Sequence, residues 1–301
     1  MNTANDKPQT AADAANSPTA NNSAAAPVSH PDRRGPGLLL IGHGTREHAG
    51  VDEFLSAAKQ IGAMVAPLPT EACFLELAEP TIDAAVARLA AAGVGELLVA
   101  PLILFAAGHA KRDIPAAVAA AAARHSVLVV EQLPPLGCRP ELSALSARRY
   151  REAVGVENGR GGEIAPEQTA LLMVGRGSND PEATAEMHRF AKLRHEAAPT
   201  ARLEVAFTAM AEPSLDTALE TVGRLPVRRV VVQPHLLFTG QLLEKVRAGV
   251  AAAAERFPDR QWIVTGHLGP EQEITAAIVS DIFSRLSAGN GVEATSGNAS
   301  P

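Results

Sequence analysis

The chain has 301 residues, 46% of them hydrophobic, enough for one large core or for two ordinary ones of roughly 120 to 140 residues each, and two domains are expected. A net charge of -6, with Lys and Arg scattered along the chain, leaves no basic stripe to neutralise phosphates and excludes nucleic acid as a partner. The longest apolar stretch, Leu97 to Ala107, is about half of the roughly 20 residues that cross a bilayer, and Pro101 interrupts it, so no membrane span is expected.

Residues 1–35 are rich in Ala, Asn, Pro, Ser and Thr and lack the apolar run of a signal peptide, which predicts a disordered tail and a cytoplasmic protein. From there short β-branched or Leu-rich runs alternate with Ala-rich stretches of helical period, the pattern of parallel strands joined by helices. Strands are predicted at Gly37 to Ile41, Thr70 to Leu75, Glu96 to Leu102 and Ser126 to Glu131. The intervening helices fall near Val51 to Met64, Pro80 to Ala92, Ile114 to Arg124 and Pro140 to Ala153. Cys73 and Cys138 have no metal-binding spacing and read as buried, reduced thiols.

A Gly-rich polar bridge, residues 155–168, ends this first unit, 36–154, and then the order begins again in 169–287, with a second disordered tail expected over 288–301. Gly42-His43-Gly44 answers to Gly175-Arg176-Gly177, Glu79-Pro80 to Glu212-Pro213, Pro101 to Pro234 and Phe105 to Phe238, all at an offset of 133 residues. By Leu136-Gly137 and Leu268-Gly269 the offset is 132, so one residue has been lost. Four landmarks at one offset define an α/β protein of two tandem duplicated domains, each with a parallel sheet of about four strands flanked by helices.

Ligands of open parallel sheets bind outside the carboxyl ends of the strands, so those ends are where the copies are worth comparing. After the first strand GHGTR faces GRGSN, and His43 becomes Arg176. After the second, FLELAEP faces FTAMAEP, and Glu76 becomes Ala209. After the third, allowing for the lost residue, His109 falls opposite Gln241. Scaffold Gly, Pro and Phe persist in both copies, whereas the three groups able to bind a metal or move a proton occur only in the first. Taken alone, His43 also reads as a tight-turn residue, Glu76 as a solvent-facing strand residue and His109 as a cap of the following helix. Three together, all replaced in the duplicate, mark one working site and one retired copy.

Two imidazoles and a carboxylate suit Fe(II), Co(II), Ni(II) or Zn(II) and leave coordination positions open. No H-E-x-x-H, G-x-S-x-G or Walker-type spacing is present. The remaining histidines, His30, His48, His125, His188, His195, His235 and His267, follow no pattern. His235, where the first copy has Leu102, reads as a core or rim residue. Trp262 and Phe74, Phe105, Phe207 and Phe238 read as core.

The motifs GHGTR, FLELAEPTI and LFAAGHAKRDIP, with GRGSNDP and VVQPHLLFTGQLLEKV in the second half, resemble the sirohydrochlorin chelatases, from about Gly37 to Ser287. The resemblance implies a class II chelatase fold with two similar α/β domains facing a cleft and no need for ATP. It implies His43, Glu76 and His109 as catalytic and metal-contacting residues, sirohydrochlorin and Fe2+ or Co2+ as substrates with Ni2+ also compatible, and no tightly bound cofactor. Sirohydrochlorin carries carboxylates around its rim, so Arg46, Lys111, Arg112 and Arg176 are the cations expected to grip it, each with a solvated surface charge as its alternative. A monomer with two pseudo-symmetric halves is expected. Three other readings share parts of this pattern: a two-lobed ligand receptor, a tetrapyrrole or metal carrier without turnover, and a metal-dependent hydrolase with a His-Glu-His site.

Overall fold

A computed structural model of the chain describes residues 35–291. Most of both expected tails lies outside the described residues, as does His30.

The four predicted strands of the first copy are all present: β1 (Pro36–Gly42), β2 (Thr70–Phe74), β3 (Glu96–Pro101) and β4 (Leu128–Gln132). They form one parallel sheet in the order β2-β1-β3-β4. The second copy supplies β5 (Thr169–Gly175), β6 (Arg202–Phe207), β7 (Arg229–Pro234) and β8 (Gln261–Val264), again parallel, in the order β6-β5-β7-β8. Helices α1 (His48–Met64), α2 (Ile82–Ala91), α3 (Ile114–His125) and α4 (Pro140–Gly161) belong in sequence to the first copy. Helices α5 (Pro181–Ala197), α6 (Leu215–Gly223), α7 (Gln241–Arg256) and α8 (Gln272–Gly291) follow in the second.

Both strand faces are apolar because both are covered, as parallel sheets require. Along β1, Leu39 and Ile41 pack under α2 and α3, and along β5 Leu172 and Val174 pack under α6 and α7. The alternate residues, Leu38, Leu40, Leu171 and Met173, point into a third core built with Phe54 of α1, Leu142 and Leu145 of α4, Phe190 of α5 and Ile278 of α8. This third core is shared by the two copies. Helix α4 packs on α5 and β8 of the second copy, whereas α8 packs on α1 and β3 of the first. Each copy's last helix therefore covers the other copy's sheet. Ion pairs knit the exchange: Arg139 before α4 with Asp281 of α8, and Arg148 of α4 with Glu273, 2.8 Å, at the start of α8.

Two boundaries differ from expectation. The stretch 155–168, expected as a bridge, is helical to Gly161 within α4 and contains a 3₁₀ turn at Pro166–Gln168. Gly155 and Gly159 lie on the exposed side of α4, where a glycine costs only about 1 kcal/mol against alanine, and the packing of Leu142, Leu145 and Tyr150 carries the helix through them. At the other end, α8 extends to Gly291, past the boundary expected at 288. Among the described residues no helix is long and apolar enough to cross a membrane.

Candidate active site

The first sheet changes winding direction between β1 and β3, and His43 directly follows the carboxyl end of β1 at that switch point. Leu75 N donates to Gly42 O (2.9 Å) and Glu76 N to His43 O (3.1 Å), so the backbone after β2 is zipped to the backbone after β1. The same pairs recur in the second copy: Thr208 N to Gly175 O (3.0 Å) and Ala209 N to Arg176 O (2.9 Å). Gly44 and Gly177 adopt φ of 96° and 89°, and any Cβ there would overlap the carbonyl oxygen of Glu76 or Ala209. Leu77 and Met210, at φ of 65° and 59°, complete the matching turns.

On this frame the His43 ring nitrogen Nε2 lies 3.6 Å from Glu76 Oε1, within ion-pair reach and longer than a hydrogen bond. Nδ1 sits 3.3 Å from Gly44 O, a contact within its own turn. His43 is half-buried and Glu76 exposed. Glu76 stands beyond the end of β2, which closes at Phe74, one residue short of the predicted strand end. His109 opens a π-helical turn, His109–Asp113, that leads into α3, and its side chain lies outside the described residues. Gln241, its expected counterpart, is the first residue of α7, with no π-helical turn before it. Among the described residues no group of three or more His, Cys, Asp or Glu side chains could hold a metal ion. His43 and Glu76 are the part of the expected set whose side chains are seen together.

The strand ends of both copies line one cleft of about 1010 Å³. His43, Phe105 and Arg112 face it from the first half, and Arg176, His235 and Phe238 from the second. Phe105 and Phe238, expected in the core, are half-buried cleft residues that rest on the core with one side. Phe74 and Phe207 are fully buried as expected, while Trp262 is half-buried and donates from Nε1 to Phe257 O (3.2 Å).

The four expected cations are placed differently. Arg46 is exposed and is not among the cleft-lining residues. Arg112 and Arg176 line the cleft, and neither guanidinium has a carboxylate partner among the described residues. Lys111 is bound: Nζ donates to Asp180 Oδ2 (2.7 Å) and Glu182 Oε2 (2.6 Å) at the start of α5, closing an ion-pair latch between the halves. That latch raises the Lys111 pKa above the ordinary lysine range and lowers that of Asp180, chiefly through the hydrogen bonds themselves. The acid pair has no signal in the sequence, because only the fold brings α5 to the π-helical turn. A second tie runs through Glu53 of α1, which accepts from Thr239 N (2.7 Å) and lies 3.0 Å from His267 Nε2. Gln241 reaches Glu47 Oε1 (3.3 Å) across the same junction.

His235 is buried, as expected for a core residue, with 2% of its surface exposed. Its ring stacks on Phe190 (4.0 Å between centroids) and beneath Phe105 (5.2 Å), and burial drives its pKa down to about 3. The thiols also differ from each other. Cys73 is fully buried, with its pKa pushed up to about 12, whereas Cys138 is only half-buried, and both are free of disulfides.

Two parallel sheets turned toward one cleft, with His43 and Glu76 after the first two strands of one copy and Arg176 and Ala209 in the same places of the other, define a duplicated α/β protein of chelatase-like fold. The CbiX family model matches residues 37–153 and again 170–284, and the chain belongs to the CbiX family. A sirohydrochlorin cobaltochelatase of Priestia megaterium is 29% identical over 233 residues, covering 77% of this chain and 74% of the relative. A sirohydrochlorin ferrochelatase of the same organism is 27% identical over 232 residues, covering 77% and 84%. The solved structure of SirB from Bacillus subtilis with Fe3+ shares the fold, at a TM-score of 0.73 and 24% identity over 85% of this chain and 98% of that one.

Proposed function

We propose that the chain is a sirohydrochlorin chelatase, a lyase that inserts Fe2+ or Co2+ into sirohydrochlorin without ATP, in sirohaem or cobalamin biosynthesis. The observation that carries the reading is the pairing of His43 with Glu76 at 3.6 Å on a backbone frame that the second half repeats without either group. The names of the relatives, cobaltochelatases and ferrochelatases of sirohydrochlorin, support the substrate. The metal ion takes all four ring nitrogens and displaces the two pyrrole N–H protons, so each turnover hands two protons to the protein and the solvent. In this reading His43 and His109 present the metal on one face of the macrocycle, and Glu76 lends negative charge to its delivery and accepts protons. Arg112 and Arg176 take the rim carboxylates, and Lys111 joins them when the acid pair releases it. Fe2+, Co2+ and Ni2+ are all accepted by such donors, so the donor set does not select the metal.

One chain supplies both walls of the cleft, which supports a working monomer. Two thiols without a disulfide fit a reducing, cytoplasmic setting.

The test is to give purified protein sirohydrochlorin with Fe2+, Co2+ or Ni2+ and follow the visible spectrum above the uncatalysed rate. Many equivalents of product per chain are expected, and His43→Ala or His109→Ala should each abolish the excess rate while the protein stays folded. A halt at one equivalent would replace the enzyme with a tetrapyrrole or metal carrier. Near-normal rates in both variants would overturn the site.

A further inference from the structure

His235 occupies the place that Leu102 holds in the first copy, on the same backbone frame. His235 N donates to Val174 O (2.7 Å), as Leu102 N donates to Ile41 O (2.8 Å). Leucine fills that position without polar atoms. Histidine brings two ring nitrogens, and among the described residues neither has a hydrogen-bond partner. Buried polar groups are nearly always paired, so a buried imidazole with both nitrogens idle at the wall of a ligand cleft points to a partner that arrives with the ligand.

The surroundings narrow the chemistry. Phe190 packs on the ring from the core side and Phe105, tilted over it, from the cleft side, so the approach to His235 is apolar, and a rim carboxylate there would lose its water with no cation at hand. A bare ion needs several protein donors, and one histidine would not hold it. A metal already seated in a tetrapyrrole has four equatorial nitrogens and accepts a single apical imidazole. Burial keeps the His235 ring neutral, so its lone pair is available to a metal across the physiological range.

We propose that His235 is a second-half ligand of the product: an axial nitrogen donor to the metal once it sits in the macrocycle, reached when the Phe105 ring turns off it. The inference rests on the chelatase reading above. It gives the retired copy a task of its own, since the donors that deliver the metal come from one half and the donor that receives the metallated ring comes from the other.

The experiment uses the full chain and preformed Co(II) sirohydrochlorin under anaerobic conditions, with electron paramagnetic resonance of the low-spin metal as the readout. The wild-type complex is expected to show the triplet splitting of one axial nitrogen. His235→Leu, which restores the first copy's residue, and His235→Gln, which keeps a polar group, should both lose it with the melting temperature preserved. His43→Ala should retain it. Splitting that survives in both His235 variants, or that disappears in His43→Ala, overturns the proposal, as does a wild-type complex with no axial nitrogen. If the wild type binds no Co(II) sirohydrochlorin at all, the axial-ligand proposal is overturned, while the chelatase reading stands or falls on the turnover assay above.

Discussion

Gly44 and Glu76 are held so closely that a methyl group on Gly44 would overlap the Glu76 carbonyl oxygen. The hydrogen bond from Glu76 N to His43 O, 3.1 Å, needs that approach, so one absent side chain brings the imidazole and the carboxylate together. Gly44→Ala would introduce both the overlap and a strained positive φ, costing about 1–3 kcal/mol for the backbone alone. Gly177→Ala meets the same obstacles against Ala209, in the half without the donors. Thermal denaturation is expected to show similar destabilisation in the two variants. Metal insertion per folded molecule should be lost only with Gly44→Ala, and equal losses in both would contradict this division.

Arg112 and Arg176 face the cleft without a carboxylate partner among the described residues, ready for an anionic substrate. Each substitution by Ala is expected to raise KM roughly tenfold and to change kcat by no more than about twofold, since a rim contact persists through the reaction. The effect should shrink at high ionic strength. Steady-state kinetics at two salt concentrations decide the matter, and an unchanged KM in both variants would remove these residues from the binding surface.

The Lys111 latch has a definite pH window. Asp180, lowered by its bond to Lys111, contributes fully above the ordinary carboxylate value of roughly 4 and loses its contribution as pH falls through the lowered one. Lys111, raised by the acid pair, contributes fully below roughly 10 and loses its contribution as pH rises through the raised value. The latch therefore holds across the neutral range and fails at both extremes. Amide hydrogen exchange over residues 107–113, corrected for intrinsic rates, should quicken in acid, in high salt and in Lys111→Met at neutral pH. No change in that variant would mean that the ion pairs do not hold the turn.

Cys73 and Cys138 should separate in a thiol assay. Burial pushes the Cys73 thiol up to about 12, so at neutral pH it stays protonated and reacts only after unfolding, whereas half-buried Cys138 reacts slowly in the native protein. The stability that burial of the neutral thiol provides is present below the ordinary cysteine value of roughly 8.5 and is lost as pH rises toward 12. Rapid native labelling of both cysteines would contradict the packing around β2.

The repeat made the scaffold legible because its landmarks are backbone necessities. Gly44 and Gly177 stand where a side chain cannot, so they kept their spacing while His43 and Arg176 diverged between them. Strand cores were legible for the same reason, since Leu38 to Ile41 must be apolar on both faces. Gly155 and Gly159 misled in the opposite direction: a glycine that breaks an isolated helix is carried by one packed against two neighbours. Phe105 and Phe238 read as core because hydrophobicity does not distinguish a core from the wall of an aromatic cleft. Lys111 lines the cleft, but its acid partners arrive from 69 and 71 residues away and have no signal in the local sequence.

The crossed helices also set what the chain can be divided into. A cut within residues 162–165 would leave an amino-terminal fragment whose α4 lacks the sheet it covers, and a carboxyl-terminal fragment whose α8 is equally stranded. Neither piece could close its own interior, yet each carries the cover that the other needs. Fragment complementation is the expected behaviour: separately the pieces aggregate, and mixed during refolding they restore the two-walled cleft.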